Sequence, residues 1–310
     1  MFGQGRKHFE EWYGKGLRKS RRAARWLFLL LCETIFLDIF NGAILMFVLT
    51  SESEEDSAAS GEFTAIMAIL LVKVGIVTAM IVGVIYSKRR LARKYREFEV
   101  LMPHQATTIR NILQKLCAPM NIDYALIDLL HEKKVDNRVT PAVVPSASGR
   151  FRIVVPTGFL SEAAAFPERA EAMLAHELAH IKQNDVRLFE TYRVISNYAV
   201  ALLLPLGVLA FLASGGGVPL PLIMTIVLYQ QIGYASKRSE LMADVAAAYY
   251  ASPGKMIESL DLYLQDNVLK SFRLPLRVGY KNKCDRISAL ETELTKLDIT
   301  KTHPAQTAVT

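Results

Sequence analysis

Residues 167–180 read PERAEAMLAHELAH and place two histidines, His176 and His180, four positions apart. The proline at the start of this stretch suits the first turn of a helix, and the residues after it favour helix. On such a helix the two imidazoles project from one face and can share a metal ion. Glu177 then projects beside the metal, where a general base can take a proton from a bound water. The spacing predicts a metal site and a general base on one helix.

A catalytic zinc site needs a third protein ligand and one coordination position left for water. The best candidate is Glu240, in the stretch SKRSELMAD at residues 236–244. If this stretch is helical, Asp244 lies one turn further on the same face and can accept the remaining ring N–H of a ligating histidine. Two alternatives stay open. The histidine pattern also occurs by chance in soluble helices, and acidic residues on a helix are commonly part of a solvated face.

Four apolar blocks dominate the composition, in which 51% of the 310 residues are hydrophobic. They are residues 26–49, 63–86, 194–213 and 218–235. The first two are each long enough to span a hydrocarbon core of about 30 Å. The last two are at the lower limit for spanning and flank Ser-Gly-Gly-Gly, so a buried or re-entrant hairpin is the alternative. We predict four transmembrane helices.

The charges around these blocks predict an orientation. Eight Lys or Arg lie in residues 1–25 and six in 88–96, whereas residues 51–62 hold five acids and no Lys or Arg. The positive-inside rule places both basic flanks in the cytoplasm, together with both halves of the metal site. Because the basic residues lie next to apolar blocks, the net charge of +7 is better explained by topology than by nucleic-acid binding. The three cysteines contain no CxxC pair, so neither a disulfide framework nor a thiolate zinc site is indicated.

The predicted domain organisation follows from these segments. Thr107–Leu116 favours an amphipathic helix, and the helix that begins at Pro167 is expected to run to about Tyr192. We expect a basic N-terminus (1–25), a transmembrane hairpin (26–86), a first catalytic part (87–193), a second hydrophobic hairpin (194–235), a second catalytic part (236–300) and a tail (301–310).

Taken together, the His-Glu-Leu-Ala-His segment, Glu240 with Asp244, and the order of membrane and catalytic segments resemble the HtpX-like membrane zinc metalloproteases. That group is related to the CAAX prenyl endopeptidases. The resemblance covers most of residues 20–295. It implies a mainly α membrane protein whose zincin-like cytoplasmic catalytic domain carries a small β-sheet. It also implies one Zn²⁺ per chain, held by His176, His180 and Glu240, with Glu177 catalytic and Asp244 supporting a ligand.

The match to the family pattern is imperfect in two places. Lys237 stands where the family usually has arginine. A His-Pro pair usual before the Arg-Ile-x-x-Leu stretch is missing ahead of Arg286, and His303-Pro304 follows that stretch instead. We therefore assign His303 no role, and the sequence leaves the group that stabilises the oxyanion unassigned.

A substrate-holding strand is expected in the same domain. The run Phe151, Arg152, Ile153, Val154 and Val155 is rich in β-formers and bounded by glycine and proline. An exposed edge of this strand could pair with an extended peptide through backbone hydrogen bonds, whereas the alternative is a wholly internal strand.

The expected function is zinc-dependent hydrolysis of peptide bonds in membrane or misfolded proteins at the cytoplasmic face. The resemblance implies quality control. We expect a bacterial inner membrane as the setting, with an organelle membrane as the alternative, and peptide substrates and the lipid bilayer as partners. Three alternatives stay open: a prenyl-protein endopeptidase, a metalloprotease-type sensor or signal transducer, and an inactive scaffold. The twelve-residue outer loop is short for a sensing domain, and the presence of Glu177 speaks against a scaffold.

Overall fold

A computed structural model gives the arrangement of part of the chain. It describes residues 7–19, 78, 82, 85–86, 98–101, 106–132, 140–145, 150–184, 220–268 and 283–299.

Most residues of the four predicted membrane segments lie outside these described ranges. Residues 26–49 and 194–213 lie outside the described residues, as does 63–86 apart from four positions. The fourth segment, 218–235, is helical from Leu220 onward. Among the described helices, none combines the length and the apolar character that crossing a bilayer requires.

The chain divides into two compact units. One consists of Met1–Arg18, Leu91–Tyr192 and Gln230–Thr310, and the other of Lys19–Arg90 and Arg193–Tyr229. The site described below lies in the first unit. The domain boundaries drawn from the sequence stay a prediction.

The first unit is mainly helical with a small mixed sheet, as the sequence predicts. Its elements in chain order are helix α1 (residues 7–19), β1 (Phe98–Val100), α2 (Thr107–Met120), β2 (Ile127–Glu132), β3 (Ala142–Pro145), β4 (Phe151–Val155), α3 (Thr157–Ala165), α4 (Pro167–Gln183), α5 (Leu220–Tyr250), α6 (Pro253–Val268) and α7 (Lys283–Lys296). The first ten residues of α5 belong to the second unit.

The sheet has the strand order β1-β2-β4-β3. Strand β4 runs parallel to β2 and antiparallel to β3, and β1 runs antiparallel to β2. The predicted strand at 151–155 is confirmed as β4. Its last three residues are buried, which is where β-branched side chains pack well.

Helices α2 and α4 both end at an asparagine in the left-handed conformation. Helix α2 buries a stripe that includes Ile109, Leu113 and Leu116, and extends beyond the predicted stretch. Helix α4 begins at Pro167 as predicted but ends at Gln183, so the expectation that it continues to Tyr192 is wrong. The physical reason is Asn184, whose φ of 53° stops α-helical hydrogen bonding.

The core of this unit uses small side chains where the site-bearing helices pack. Helices α4 and α5 both contribute fully buried alanines to one hydrophobic cluster, among them Ala175, Ala179, Ala243 and Ala247. Alanine has high helix propensity and no side-chain entropy to lose on burial. The site-bearing helices therefore contribute small side chains to the core at positions next in sequence to His176, His180 and Asp244.

Candidate active site

The two histidines of α4 face each other at the surface of the core. The Nε2 atoms of His176 and His180 lie 3.1 Å apart, and their rings meet edge to face. His176 is 8% exposed and Glu177 9%. The one-turn spacing therefore brings two imidazoles together with a buried carboxylate between them in sequence, as predicted.

Helix α5 brings Glu240 to the same place. Its carboxylate oxygens lie 3.6 Å from Nε2 of His176 and 3.7 Å from Nε2 of His180. Within the described part of the chain, these three residues form the one group whose ligand atoms lie close enough to hold a metal ion, all within 4.8 Å of one another. The structure thus joins two segments that are 60 positions apart.

The geometry and chemistry of this group fit a metal. Two ligands of a tetrahedral ion at about 2.0–2.1 Å stand about 3.3 Å apart, close to the 3.1 Å between the two Nε2 atoms. Two imidazoles and one carboxylate are a donor set of catalytic zinc sites. His176, His180 and Glu240 therefore fit the ion that the sequence predicts.

Asp244 lies on the far side of the first histidine. Its Oδ1 is 2.8 Å from Nδ1 of His176, although the ring is turned so that an N–H there is poorly aligned with the oxygen. A separation of 2.8 Å is that of a charge-assisted hydrogen bond, so Asp244 is the partner of this ring nitrogen. A carboxylate at Nδ1 favours the tautomer that leaves Nε2 with a lone pair for a metal. This is the place the sequence predicts for Asp244.

Arg286 on α7 is the residue of this site that sequence reasoning missed. Its Nε is 2.6 Å from Asp244 Oδ2, and its Nη2 is 2.7 Å from Asp244 Oδ1 and 2.8 Å from Glu240 Oε2. The sequence signal was the Arg-Ile-x-x-Leu stretch, to which no role was given. One guanidinium therefore holds the third candidate ligand and the aspartate that supports the first.

The charges of these groups are set by their neighbours. Burial raises the pKa of Asp244, but the charge and hydrogen bonds of Arg286 outweigh it and lower that pKa to about 2. Partial burial likewise raises the pKa of Glu240, and the attraction of Arg286 and the histidines lowers it below its ordinary value overall. Both carboxylates are therefore ionised at neutral pH.

The pKa of Glu177 is shifted in the opposite direction, upward. Burial raises its pKa above the ordinary value, and the histidines and one backbone N–H oppose that rise only in part. The N–H belongs to Val143 of strand β3 and donates to Oε2 of Glu177 at 2.8 Å. A carboxyl with a raised pKa is better suited to exchanging protons near neutral pH than an exposed glutamate.

Strand β4 does not offer the edge that the sequence predicts. Residues Phe151, Arg152, Ile153, Val154 and Val155 lie between β2 and β3 and pair with both. The expectation of an exposed edge at 151–155 is therefore wrong, because both sides of this strand are used within the sheet. Strand β3 is the outer strand on the side of α4, and Val143 is its contact with Glu177.

The N-terminal helix α1 also packs against the site-bearing helices. Phe9 is fully buried and stacks on Tyr249 of α5, with ring centroids 4.0 Å apart. The hydroxyl of Tyr13 donates to the carbonyl of Ala179, within the His-Glu-Leu-Ala-His segment, at 3.3 Å. The sequence predicts only a basic flank here. The apolar residues at helical spacing in that flank were the signal that could have revealed it.

Comparison with protein families agrees with this site. A model of peptidase family M48, which includes HtpX-like and CAAX-protease-like members, matches residues 103–308, about two thirds of the chain. The resemblance drawn from the motifs is confirmed at that level. Comparison with curated proteins gives no significant match.

Proposed function

The chain belongs to peptidase family M48, which makes it a metallopeptidase, and we propose that it is a zinc-dependent endopeptidase of membrane or misfolded proteins. The observation that carries this proposal is the convergence of His176, His180 and Glu240 beside the buried carboxylate of Glu177. Among the described residues, two helices that are distant in sequence supply three candidate ligands and one acid–base group. No simpler structural role needs that combination.

The residues of the site have separate roles in the proposed reaction. When bound, zinc supplies a Lewis acid that polarises a carbonyl and acidifies water. His176, His180 and Glu240 would hold it. Glu177 accepts a proton from the attacking water and donates it to the amine that leaves when the peptide C–N bond breaks. The N–H of Val143 donates to Oε2 of Glu177 and holds this carboxylate in place.

Asp244 and Arg286 keep the ligands in position. Asp244 fixes the ring of His176 through Nδ1, and Arg286 fixes the carboxylates of Asp244 and Glu240. Such supporting contacts are typically worth 10- to 100-fold in metal affinity. Their presence supports a site that is built for a metal rather than a chance group of polar residues.

The membrane setting is the second part of the proposal. The apolar blocks and their basic flanks support a multi-pass protein of a bacterial inner membrane, with termini and active site in the cytoplasm. Peptide bonds in cytoplasmic loops of membrane proteins, or in damaged soluble chains, are then the reachable substrates. A quality-control role is what the resemblance to the HtpX-like proteases implies.

The experiment is a metal-dependence assay on the purified protein in detergent. Casein hydrolysis should stop after chelation and return on addition of stoichiometric zinc. Glu240→Gln should lower bound zinc, whereas Glu293→Gln, which alters a surface pair with Lys296, should leave zinc and activity unchanged. Activity that survives complete removal of metal, or full zinc content in Glu240→Gln, would contradict the assignment.

A further inference from the structure

Helix α1 contacts both helices that carry candidate ligands, and on each it makes a contact within two residues of a ligand. On α4 it reaches Ala179, the residue before His180. On α5 it reaches Met242, two residues after Glu240. Gly16 lies directly against that methionine, since a Cβ at Gly16 would stand 2.7 Å from the end of the Met242 side chain. One short helix therefore bridges the two segments that supply the candidate metal site.

Tyr13 makes the contact with α4. Its side chain is buried, and its hydroxyl donates to the carbonyl of Ala179 at 3.3 Å. Because a buried hydroxyl without an acceptor is costly, this bond favours one position of the carbonyl relative to the ring. Helix α4 ends at Gln183, three residues after His180, and the ends of helices fray most easily. Tyr13 therefore holds the helix end that carries the second candidate ligand.

Lys182 connects the same helix end to α1 and α5. Its Nζ donates to the hydroxyl of Tyr250 on α5 at 3.1 Å, and that hydroxyl donates to Oε1 of Glu10 on α1 at 3.0 Å. The ammonium also lies 5.3 Å from the ring centroids of Tyr13 and Tyr250, within the range of cation–π attraction. Polar contacts as well as apolar packing thus join the end of α4 to both other helices.

We propose that α1 is a clamp that holds His180 and Glu240 at metal-binding distance, with Tyr13 as its positioning residue. The inference rests on the metal site of the proposed function. Because the candidate ligands lie on α4 and α5, α1 acts through those helices. Without α1, the end of α4 has to become ordered when the metal binds, and that ordering costs conformational entropy. A helix end that is ordered in advance binds the metal more tightly.

The first test removes one hydroxyl. Tyr13→Phe keeps the buried ring, and we expect its zinc affinity, measured by competition with a chromogenic chelator, to fall by about three- to tenfold, the effect of one hydrogen bond. The matched control is Ile127→Val, which removes a buried methyl group from strand β2, outside the candidate site. It costs a comparable amount of stability and should leave zinc affinity unchanged. Unchanged zinc affinity in Tyr13→Phe, or an equal loss in both variants, would overturn the inference.

The second test uses the unaltered full-length protein in detergent. If docking of α1 strengthens zinc binding, zinc must strengthen the docking of α1 by the same factor. Hydrogen exchange is therefore measured with and without zinc. We expect zinc to slow the exchange of backbone amides in residues 7–19 at least about threefold, as well as that of amides in α4. Slower exchange in α4 with no change in residues 7–19 would show that α1 is only a structural support and would overturn the inference.

These tests separate the clamp from the proposed function. If the wild-type protein binds no zinc, the proposed function fails, and the clamp fails with it. If the wild-type protein binds zinc but neither Tyr13→Phe nor the exchange of residues 7–19 shows coupling to the metal, only the inference about α1 fails.

Discussion

Arg286 and Asp244 form a two-pronged ion pair in which the guanidinium Nε and Nη2 contact both carboxylate oxygens, at 2.6 and 2.7 Å. The aspartate is fully buried and the arginine is 13% exposed. Because Nη2 also contacts Glu240, Arg286 links helix α7 both to this candidate ligand and to Asp244, the partner of His176. Lysine carries the same charge but cannot form this fork.

Arg286→Lys should therefore weaken metal binding while leaving the fold intact. We expect zinc affinity to fall by about 10- to 100-fold, the usual effect of losing a contact that supports a ligand. Competition with a chromogenic chelator measures it. Arg150→Lys is the matched control, because Arg150 forms a similar fork with Asp128 away from the site. Equal zinc affinity in both variants would contradict the role given to Arg286.

The low pKa of Asp244 predicts a specific acid sensitivity. The pKa is lowered from 3.8 to about 2 on folding, so this group stabilises the protein above pH 3.8 and loses that contribution as the pH falls toward 2. The shift corresponds to about 2 kcal/mol. Denaturant unfolding of the metal-free protein at several pH values measures it. Asp244→Asn should have a lower free energy of unfolding at every pH, but it should lose less of it than wild type between pH 3.8 and 2. Parallel profiles of unfolding free energy against pH in the two proteins would refute the prediction.

Helix α1 should stabilise the catalytic unit. Phe9 is fully buried against Tyr249, and truncation of a buried phenylalanine costs about 3–5 kcal/mol. We expect Phe9→Ala to lower the free energy of unfolding by about that amount, measured by urea denaturation. Lys15→Ala is the control on the exposed side of the same helix, where the pair with Glu11 contributes less than about 1 kcal/mol. Similar losses in both variants would show that α1 does not pack as described.

Local patterns predicted the parts of the site that depend on one helix. His176 and His180 are one turn apart, so helical geometry alone brings them together. Strand 151–155 was likewise predicted from its β-branched residues, as was the start of α4 from Pro167. Each of these features depends on residues within a few positions of one another.

Features that depend on distant partners were harder to predict. The β-branched run at 151–155 predicts a strand but not its neighbours, and these decide that it is internal. Arg286 contacts residues more than 40 positions away, and nothing local indicates which acids it pairs with. Phe9 and Tyr13 were overlooked because the surrounding charges suggested a topology signal. Glu240 was predicted only because the histidine helix requires a third ligand.

The most direct test of the peptidase assignment measures zinc content and casein hydrolysis on the same preparations of wild type and Glu177→Gln. Glutamine keeps the shape of Glu177 and can still accept the Val143 N–H, but it cannot take a proton from water. We predict about one zinc per chain in both proteins, and hydrolysis about 10²- to 10⁴-fold slower in the variant. Wild-type hydrolysis by Glu177→Gln at equal zinc content would contradict the account.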